Sequence, residues 1–155
     1  MRRCMERQED PTCFTCPLHN PASKLSLYAI AAFVHACQVA ATVRAWAIVT
    51  VVWEARAVEG QGPFDLWFYE HKVLIEVDGE QHVEGRFQST GADEQTMLDR
   101  AKEAAAIDAG FHVVRLHYRD VHVFQAKLLE VLLRAMAGAP PTVCFTPSYP
   151  LTFLV

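Results

Sequence analysis

The sequence predicts an α/β domain in which helices flank a mixed β-sheet. The first observation is the order of the periodic segments, which run helix, three strands, helix, strand and helix. The second is that the strand at 73–78, the helix at 94–109 and the strand at 111–118 form a βαβ crossover. Such a crossover should be right-handed and should bring its two strands together in parallel. Because a short hairpin joins earlier strands, the sheet should be mixed.

The N-terminal half of the chain contributes one helix and three strands. The helix is apolar and rich in alanine, and the strands are rich in β-branched and aromatic residues. The predicted ranges are 24–43 for the helix and 45–56, 64–69 and 73–78 for the strands. A glycine-rich turn follows the first strand, and a hairpin around Glu70 and His71 joins the second strand to the third.

The C-terminal half adds a helix, a strand at 111–118 and a strongly amphipathic helix at 121–137. Asp93 is predicted to cap the first of these helices, and Gly110 to end it. Gly138 closes the amphipathic helix in the same way. The proline-rich segment that begins at Pro140 carries no clear periodicity, so no element is predicted there.

One domain accounts for the length and the composition. A chain of 155 residues with 52% hydrophobic residues is long enough to bury a substantial core. The predicted division is a flexible segment at 1–23, a folded domain at 24–138 and a tail at 139–155. The formal net charge of −4 provides no overall basic field. This weakens a nucleic-acid interpretation without excluding it, because local basic residues and a divalent cation can hold phosphate on an acidic protein.

The cysteines and the long apolar run indicate in which cellular compartment the protein is expected. The cysteine count of five is odd, and no secretory signal stands out, so a secreted disulfide framework is not expected. The run at 25–43 has no formal charge and is long enough for a membrane span. Its polar residues, such as His35 and Gln38, and its many alanines favour a buried helix instead. We therefore expect a soluble, intracellular protein without membrane contact, and a membrane-tethered protein is the alternative.

The N-terminal segment offers a candidate zinc site. Cys13, Cys16 and His19, with Cys4 upstream, could supply four ligands. The spacing is atypical and no second Cys-x-x-Cys pair exists, so zinc is not the favoured interpretation.

Residues 74–82 are the part of the chain that points most directly to chemistry. Glu76 and Asp78 interrupt an apolar strand two residues apart, so both carboxylates should lie on the same side of the sheet. Adjacent like charges cost energy unless a cation or a set of donors neutralises them. The strand ends at Asp78 and Gly79, and His82 follows. This pattern predicts a site for a hard metal ion at the end of the strand.

Together with Phe64-Asp65-Leu66, Asp99-Arg100 and Val113-Val114-Arg115-Leu116, the string Glu76-x-Asp78-Gly79-x-x-His82 resembles the Vsr-like endonucleases. These enzymes form the very-short-patch-repair branch of the PD-(D/E)XK, restriction-endonuclease-like superfamily. The resemblance covers roughly residues 45–137. It implies a restriction-endonuclease-like mixed sheet and makes 24–138 an endonuclease-like domain.

The resemblance also implies roles for individual residues. The catalytic set would be Asp65, Glu76, Asp78, His82 and Asp99. Asp65, Glu76 and Asp78 would hold Mg²⁺ or Mn²⁺, and His82 would act as a general acid or base. Arg100 and Arg115 would bind phosphate or orient the carboxylates.

The chain departs from the family pattern at two positions. The Lys of the motif is absent because Asp78 stands in its place, and the helix at 24–43 lacks the Glu usual in this branch. We expect a metal-dependent nuclease that hydrolyses DNA phosphodiester bonds. The alternative is a non-catalytic nucleic-acid-binding module with the same fold. Asp78→Asn is expected to abolish turnover, and it could stabilise the metal-free fold by relieving like-charge repulsion.

Overall fold

The computed structural model describes residues 27–43, 50–79 and 92–149. These residues form a five-stranded mixed sheet flanked by helices, which confirms the predicted α/β class. The elements in chain order are α1 (Leu27–Val43), β1 (Val51–Ala55), β2 (Phe64–Phe68), β3 (Val73–Asp78), α2 (Ala92–Asp108), β4 (His112–His117), α3 (Phe124–Met136) and β5 (Val143–Phe145). The segment at 1–23, with its candidate zinc ligands, lies outside the described residues, as does His82.

The strands lie in the sheet in the order β1-β2-β3-β4-β5. The pairs β1–β2 and β2–β3 are antiparallel, whereas β3–β4 and β4–β5 are parallel. The predicted crossover from β3 through α2 to β4 therefore joins parallel strands, as expected. In the β3–β4 register Glu76 is the partner of Arg115, and Asp78 is the partner of His117.

The structure differs from the sequence-based prediction at three places. Asp93 lies inside the first turn of α2, which begins at Ala92, so it is not the residue that caps this helix. The helix predicted from 121 begins at Phe124, because a short 3₁₀ turn at 118–120 comes first. The segment beyond Pro140, for which no element was predicted, supplies β5 at the edge of the sheet.

Two hydrophobic clusters place the helices on opposite sides of the sheet. Val73 and Ile75 of β3 pack with side chains of α1 and α3 in the larger cluster. Leu74, which lies between them and so points to the other side, packs with Ala106 of α2 in the smaller cluster. No helix within the described ranges is long and apolar enough to cross a membrane.

Candidate active site

The acidic residues of β3 lie on the side of the sheet that α2 covers. Glu76 and Asp78 follow Leu74 at intervals of two, so they share its orientation toward α2. Arg115 of β4 is the register partner of Glu76 and lies on the same side. The expected shared face of the two carboxylates is therefore present, next to a strand that carries a cation.

Asp65 and Glu76 are neighbours across β2 and β3. One oxygen of Asp65, Oδ2, accepts a hydrogen bond of 2.7 Å from the backbone N–H of Val77. Burial raises the pKa of Glu76 to about 7, and the charge of Asp65 adds to this increase. Burial also raises the pKa of Asp65, although its hydrogen bond from Val77 opposes the change. The two carboxyl groups thus form a half-buried pair that resists full ionisation.

Lys102 of α2 supplies a cation to this carboxyl pair. Its Nζ donates to Glu76 Oε1 at 2.8 Å and to the carbonyl oxygen of Pro63 at 2.7 Å. The same ammonium group lies 4.2 Å from the centre of the Phe64 ring, which provides a cation–π contact. Glu76 Oε2 is buried and has no hydrogen-bond partner within the described part of the chain. Lys102 therefore binds one oxygen of Glu76 and leaves the other unsatisfied.

Asp78 is bound by a different cation. Arg115 donates from Nε and Nη2 to the two carboxylate oxygens at 2.7 and 2.5 Å, and the hydroxyl of Tyr149 donates to Asp78 as well. The side chains of Arg115 and Asp78 are only 6% and 5% exposed. Burial disfavours the charged form of Arg115, but Asp78 outweighs burial and raises the Arg115 pKa above its usual value. Asp78 is accordingly engaged on both oxygens.

Arg115 also joins β4 to α2. Its Nη1 lies 3.0 Å from Glu103 Oε1, and its Nη2 lies 3.5 Å from Asp99 Oδ2. Burial raises the pKa of Glu103, and the charge of Arg115 opposes that rise. All three guanidinium nitrogens of Arg115 thus face carboxylates. This geometry fits the predicted orienting role and leaves no free edge for a phosphate.

The structure brings most of the predicted residues together but not all of them. Asp65, Glu76, Asp78, Asp99 and Arg115 lie in or beside this cluster, whereas Arg100 is exposed on α2. Sequence reasoning missed the roles of Lys102, Glu103 and Tyr149. The spacing of Lys102 and Glu103, three and four residues after Asp99, was the available signal for two of them. Tyr149 lies in the segment with no predicted element and gave no such signal.

The expectation that Asp65, Glu76 and Asp78 form a metal triad stays a prediction. Among the residues that the structure describes, no group of three or more His, Cys, Asp or Glu side chains is arranged to hold a metal ion. The engagement of Asp78 by Arg115 provides a physical reason, because a metal would have to displace a bidentate guanidinium.

Comparison with known proteins identifies no relative of this chain. A scan against protein-family models gives no match, and searches of curated proteins and of solved structures find no significant similarity. The Vsr-like resemblance therefore stays a prediction from the motif.

Proposed function

We propose that the chain is a metal-dependent endonuclease of the Vsr-like type that hydrolyses DNA phosphodiester bonds. The observation that carries this proposal is the half-buried pair of Asp65 and Glu76, with Lys102 beside it and with one buried oxygen of Glu76 that has no partner among the described residues. An unsatisfied buried polar atom costs about 1–3 kcal/mol. Perturbed carboxyl groups of this kind concentrate where a protein binds ligands or performs catalysis.

Asp65 and Glu76 are the residues that would hold Mg²⁺ or Mn²⁺. Both offer carboxylate oxygens, the ligands that these hard cations prefer, and the unpartnered Glu76 Oε2 fits such a role. A bound divalent ion would polarise a phosphoryl oxygen and lower the pKa of a water molecule. Asp78 fits the third ligand position less well, since Arg115 and Tyr149 already occupy its oxygens.

The remaining residues of the cluster would orient the carboxylates and stabilise the charge that develops in the reaction. Lys102 fixes Glu76 through Oε1, and its positive charge would favour the negative charge that develops on a phosphoryl group. Arg115 binds Asp78 of β3, and through Asp99 and Glu103 it holds α2 against the sheet. His82 remains the predicted general acid or base, and its replacement by Ala should lower the rate while leaving metal binding intact.

A second candidate is a nucleic-acid-binding module that keeps the fold without turnover. The mutual saturation of Asp78 and Arg115 favours this candidate, because neither group is available to a metal or a phosphate as arranged. A buried pair of this kind can serve to fix one arrangement of the fold. The two candidates differ in one measurable property, which is hydrolysis.

The deciding experiment compares DNA cleavage and DNA binding in one preparation. The chain is stripped with a chelator and then assayed with Mg²⁺ or Mn²⁺ on plasmid and on labelled single- and double-stranded oligonucleotides. We expect metal-dependent nicking or cleavage that falls by at least about 100-fold in Glu76→Gln, the scale of loss for one transition-state contact. The matched control is Glu130→Gln, because Glu130 lies on α3 with half of its side chain exposed.

Three outcomes separate the candidates. Cleavage by the wild type and by Glu130→Gln, with loss in Glu76→Gln, supports the endonuclease. DNA binding without hydrolysis under every metal and substrate favours the binding module. Equal cleavage by Glu76→Gln and the wild type would overturn the assigned site and point to a contaminating nuclease.

A further inference from the structure

The C-terminal segment of the described chain is fastened to the candidate site at several points. β5 adds to the sheet beside β4, in register with Val113 to Arg115. Beyond β5, the N–H of Thr146 donates to the carbonyl of Arg115 at 3.1 Å. The Thr146 hydroxyl in turn accepts from the N–H of His117 at 2.9 Å. The chain that leaves β5 therefore continues along the end of β4, where Arg115 and His117 lie.

Asp120 fixes the next turn of this segment. Its two carboxylate oxygens accept from the Ser148 N–H at 2.7 Å and from the Ser148 hydroxyl at 2.6 Å. Asp120 is itself buried, so this anchor is protected from competing water. The direct neighbour of Ser148 is Tyr149, whose backbone position is consequently set by the Asp120 contact.

The side chain of Tyr149 enters the interior of the site. Tyr149 is 5% exposed, and its ring makes edge contacts with Phe145 at 5.1 Å and with His117 at 5.4 Å. Its hydroxyl binds Asp78 Oδ2, the same oxygen that receives the Arg115 Nε hydrogen. Burial and the adjacent charge of Asp78 raise the Tyr149 pKa, so the phenol keeps its proton and acts as the donor.

We infer that Tyr149 is a positioning residue of the proposed endonuclease. Its hydroxyl fixes the position of the Asp78 carboxylate, which in turn fixes the position of the Arg115 guanidinium. Arg115 then holds Asp99 and Glu103 of α2. The inference rests on the proposed function for its catalytic consequence. In structural terms, the C-terminal segment fixes the position of α2 on the sheet.

The consequence reaches the carboxyl pair through α2. Lys102 and Glu103 are consecutive residues of this helix, so the Arg115 contact to Glu103 also fixes where Lys102 meets Glu76. A shift of about 1 Å in a catalytic group can cost about 100-fold in rate. The Tyr149 hydroxyl therefore influences the Lys102–Glu76 contact without touching either residue.

The test is Tyr149→Phe, which keeps the ring and removes only the hydroxyl. Tyr118→Phe is the matched control, since the Tyr118 ring stacks on His117 at 4.8 Å and its hydroxyl accepts a hydrogen bond from Arg119. Both variants are compared with the wild type in three measurements. These are kcat and KM for DNA, hydrogen exchange of the α2 amides, and the NMR signal of the Arg115 Nε–H group.

For Tyr149→Phe we expect kcat to fall by about 10- to 100-fold with KM within about twofold of the wild type. We also expect faster exchange of the α2 amides and a displaced Arg115 Nε–H signal, with none of these changes in Tyr118→Phe. A lowered melting temperature with unchanged kcat, α2 exchange and Arg115 signal would indicate a merely structural tyrosine and overturn the inference.

The failure of this inference is distinguishable from the failure of the proposed function. If the wild type does not cleave DNA, the endonuclease proposal falls, and the exchange and NMR measurements still decide whether Tyr149 positions α2. If the wild type cleaves and both variants match it in all three measurements, the endonuclease stands and the role of Tyr149 is refuted.

Discussion

The guanidinium group of Arg115 binds both carboxylate oxygens of Asp78 in the protein interior, at 2.7 and 2.5 Å. The two residues lie on adjacent parallel strands, and the register partner of Asp78 is His117, so Arg115 reaches its partner along a diagonal. Asp78 has no cationic partner within its own strand, and β4 supplies one through Arg115. Removing one member of a buried pair leaves the other member charged and unpaired.

Asp78→Asn should therefore destabilise the metal-free fold instead of stabilising it. The variant leaves the buried Arg115 without its bidentate acceptor, and because Glu103 and Asp99 still face the guanidinium the loss in free energy of unfolding should stay below the about 3–5 kcal/mol of a fully unpaired buried charge. Urea denaturation in the presence of a chelator measures this change. Asp108→Asn, at the exposed end of α2, should stay within about 0.5 kcal/mol of the wild type. A higher unfolding free energy for Asp78→Asn would mean that repulsion among the carboxylates dominates the site.

The pH dependence of stability should reveal the perturbed pKa of Glu76. Burial and Asp65 raise this pKa from 4.5 to about 7, so between these values the folded chain holds a proton that the unfolded chain has released. The free energy of unfolding should therefore fall as pH rises through this window, by about 3 kcal/mol at most.

The measurement is urea denaturation from about pH 4.5 to about pH 8 in the absence of divalent ions. Glu76→Gln cannot titrate there, so its advantage in stability over the wild type should grow as pH rises. Asp65 contributes a slope of the same sign and remains in both proteins, so the difference between them reports the titration of Glu76 together with its coupling to Asp65. Parallel curves for the two proteins would show that Glu76 titrates at its ordinary pKa.

Divalent cations should raise the stability of the folded chain. An ion that binds only the folded state stabilises it by about 2.7 kcal/mol when its concentration is one hundred times Kd. Thermal unfolding with Mg²⁺, Mn²⁺ or chelator measures this gain without any reference to DNA. Asp65→Asn and Glu76→Gln should each remove the gain, and Glu130→Gln should retain it. If neither Mg²⁺ nor Mn²⁺ changes the melting temperature of the wild type, the proposed metal site is contradicted.

Asp120→Asn should loosen the C-terminal segment and change the acid sensitivity of the protein. Burial acts to raise the pKa of Asp120, but the hydrogen bonds from Ser148 outweigh it and lower the pKa below 3.8. The stabilisation is therefore present above about pH 4 and is lost as pH falls further.

At neutral pH the variant should lose about 1.5–3 kcal/mol, which is typical of hydrogen bonds to a charged group. Equilibrium unfolding at neutral and acidic pH checks both effects, and the difference between wild type and variant should shrink on acidification. A constant difference across pH would assign the loss to packing alone.

The fold was predictable from the sequence where the periodicity is local. β3 spans Val73–Asp78 in the structure, as its apolar run and the following Asp-Gly predict. β5 was not predictable, because its three residues lie between Pro141 and Pro147 and have no regular pattern of their own. Such a short strand forms because β4 offers it a parallel partner, which is a property of the tertiary structure.

The sequence predicted which residues form the candidate site, but it did not predict which cation each carboxylate contacts. The position of Glu76 and Asp78 on one side of β3 follows from strand alternation alone. Which cation each carboxylate meets depends on Lys102 and Arg115, 26 and 37 residues away along the chain. These contacts arise from the register of β3 on β4 and from the docking of α2, and one sequence does not encode either of them locally.

The orientation of α2 has a consequence for the order in which parts of the domain unfold in a denaturant. This helix turns Asp99, Lys102 and Glu103 toward the sheet, and it leaves Met97 exposed at 71% on the outside. Among the side chains described for α2, Ala105 and Ala106 join a hydrophobic cluster, and Asp99, Lys102 and Glu103 form ion pairs with the sheet. Guanidinium chloride, which is both a denaturant and a salt whose cation competes for carboxylates, should detach α2 at concentrations where the rest of the sheet persists. Urea, which has no charge, should unfold the helix and the sheet closer together.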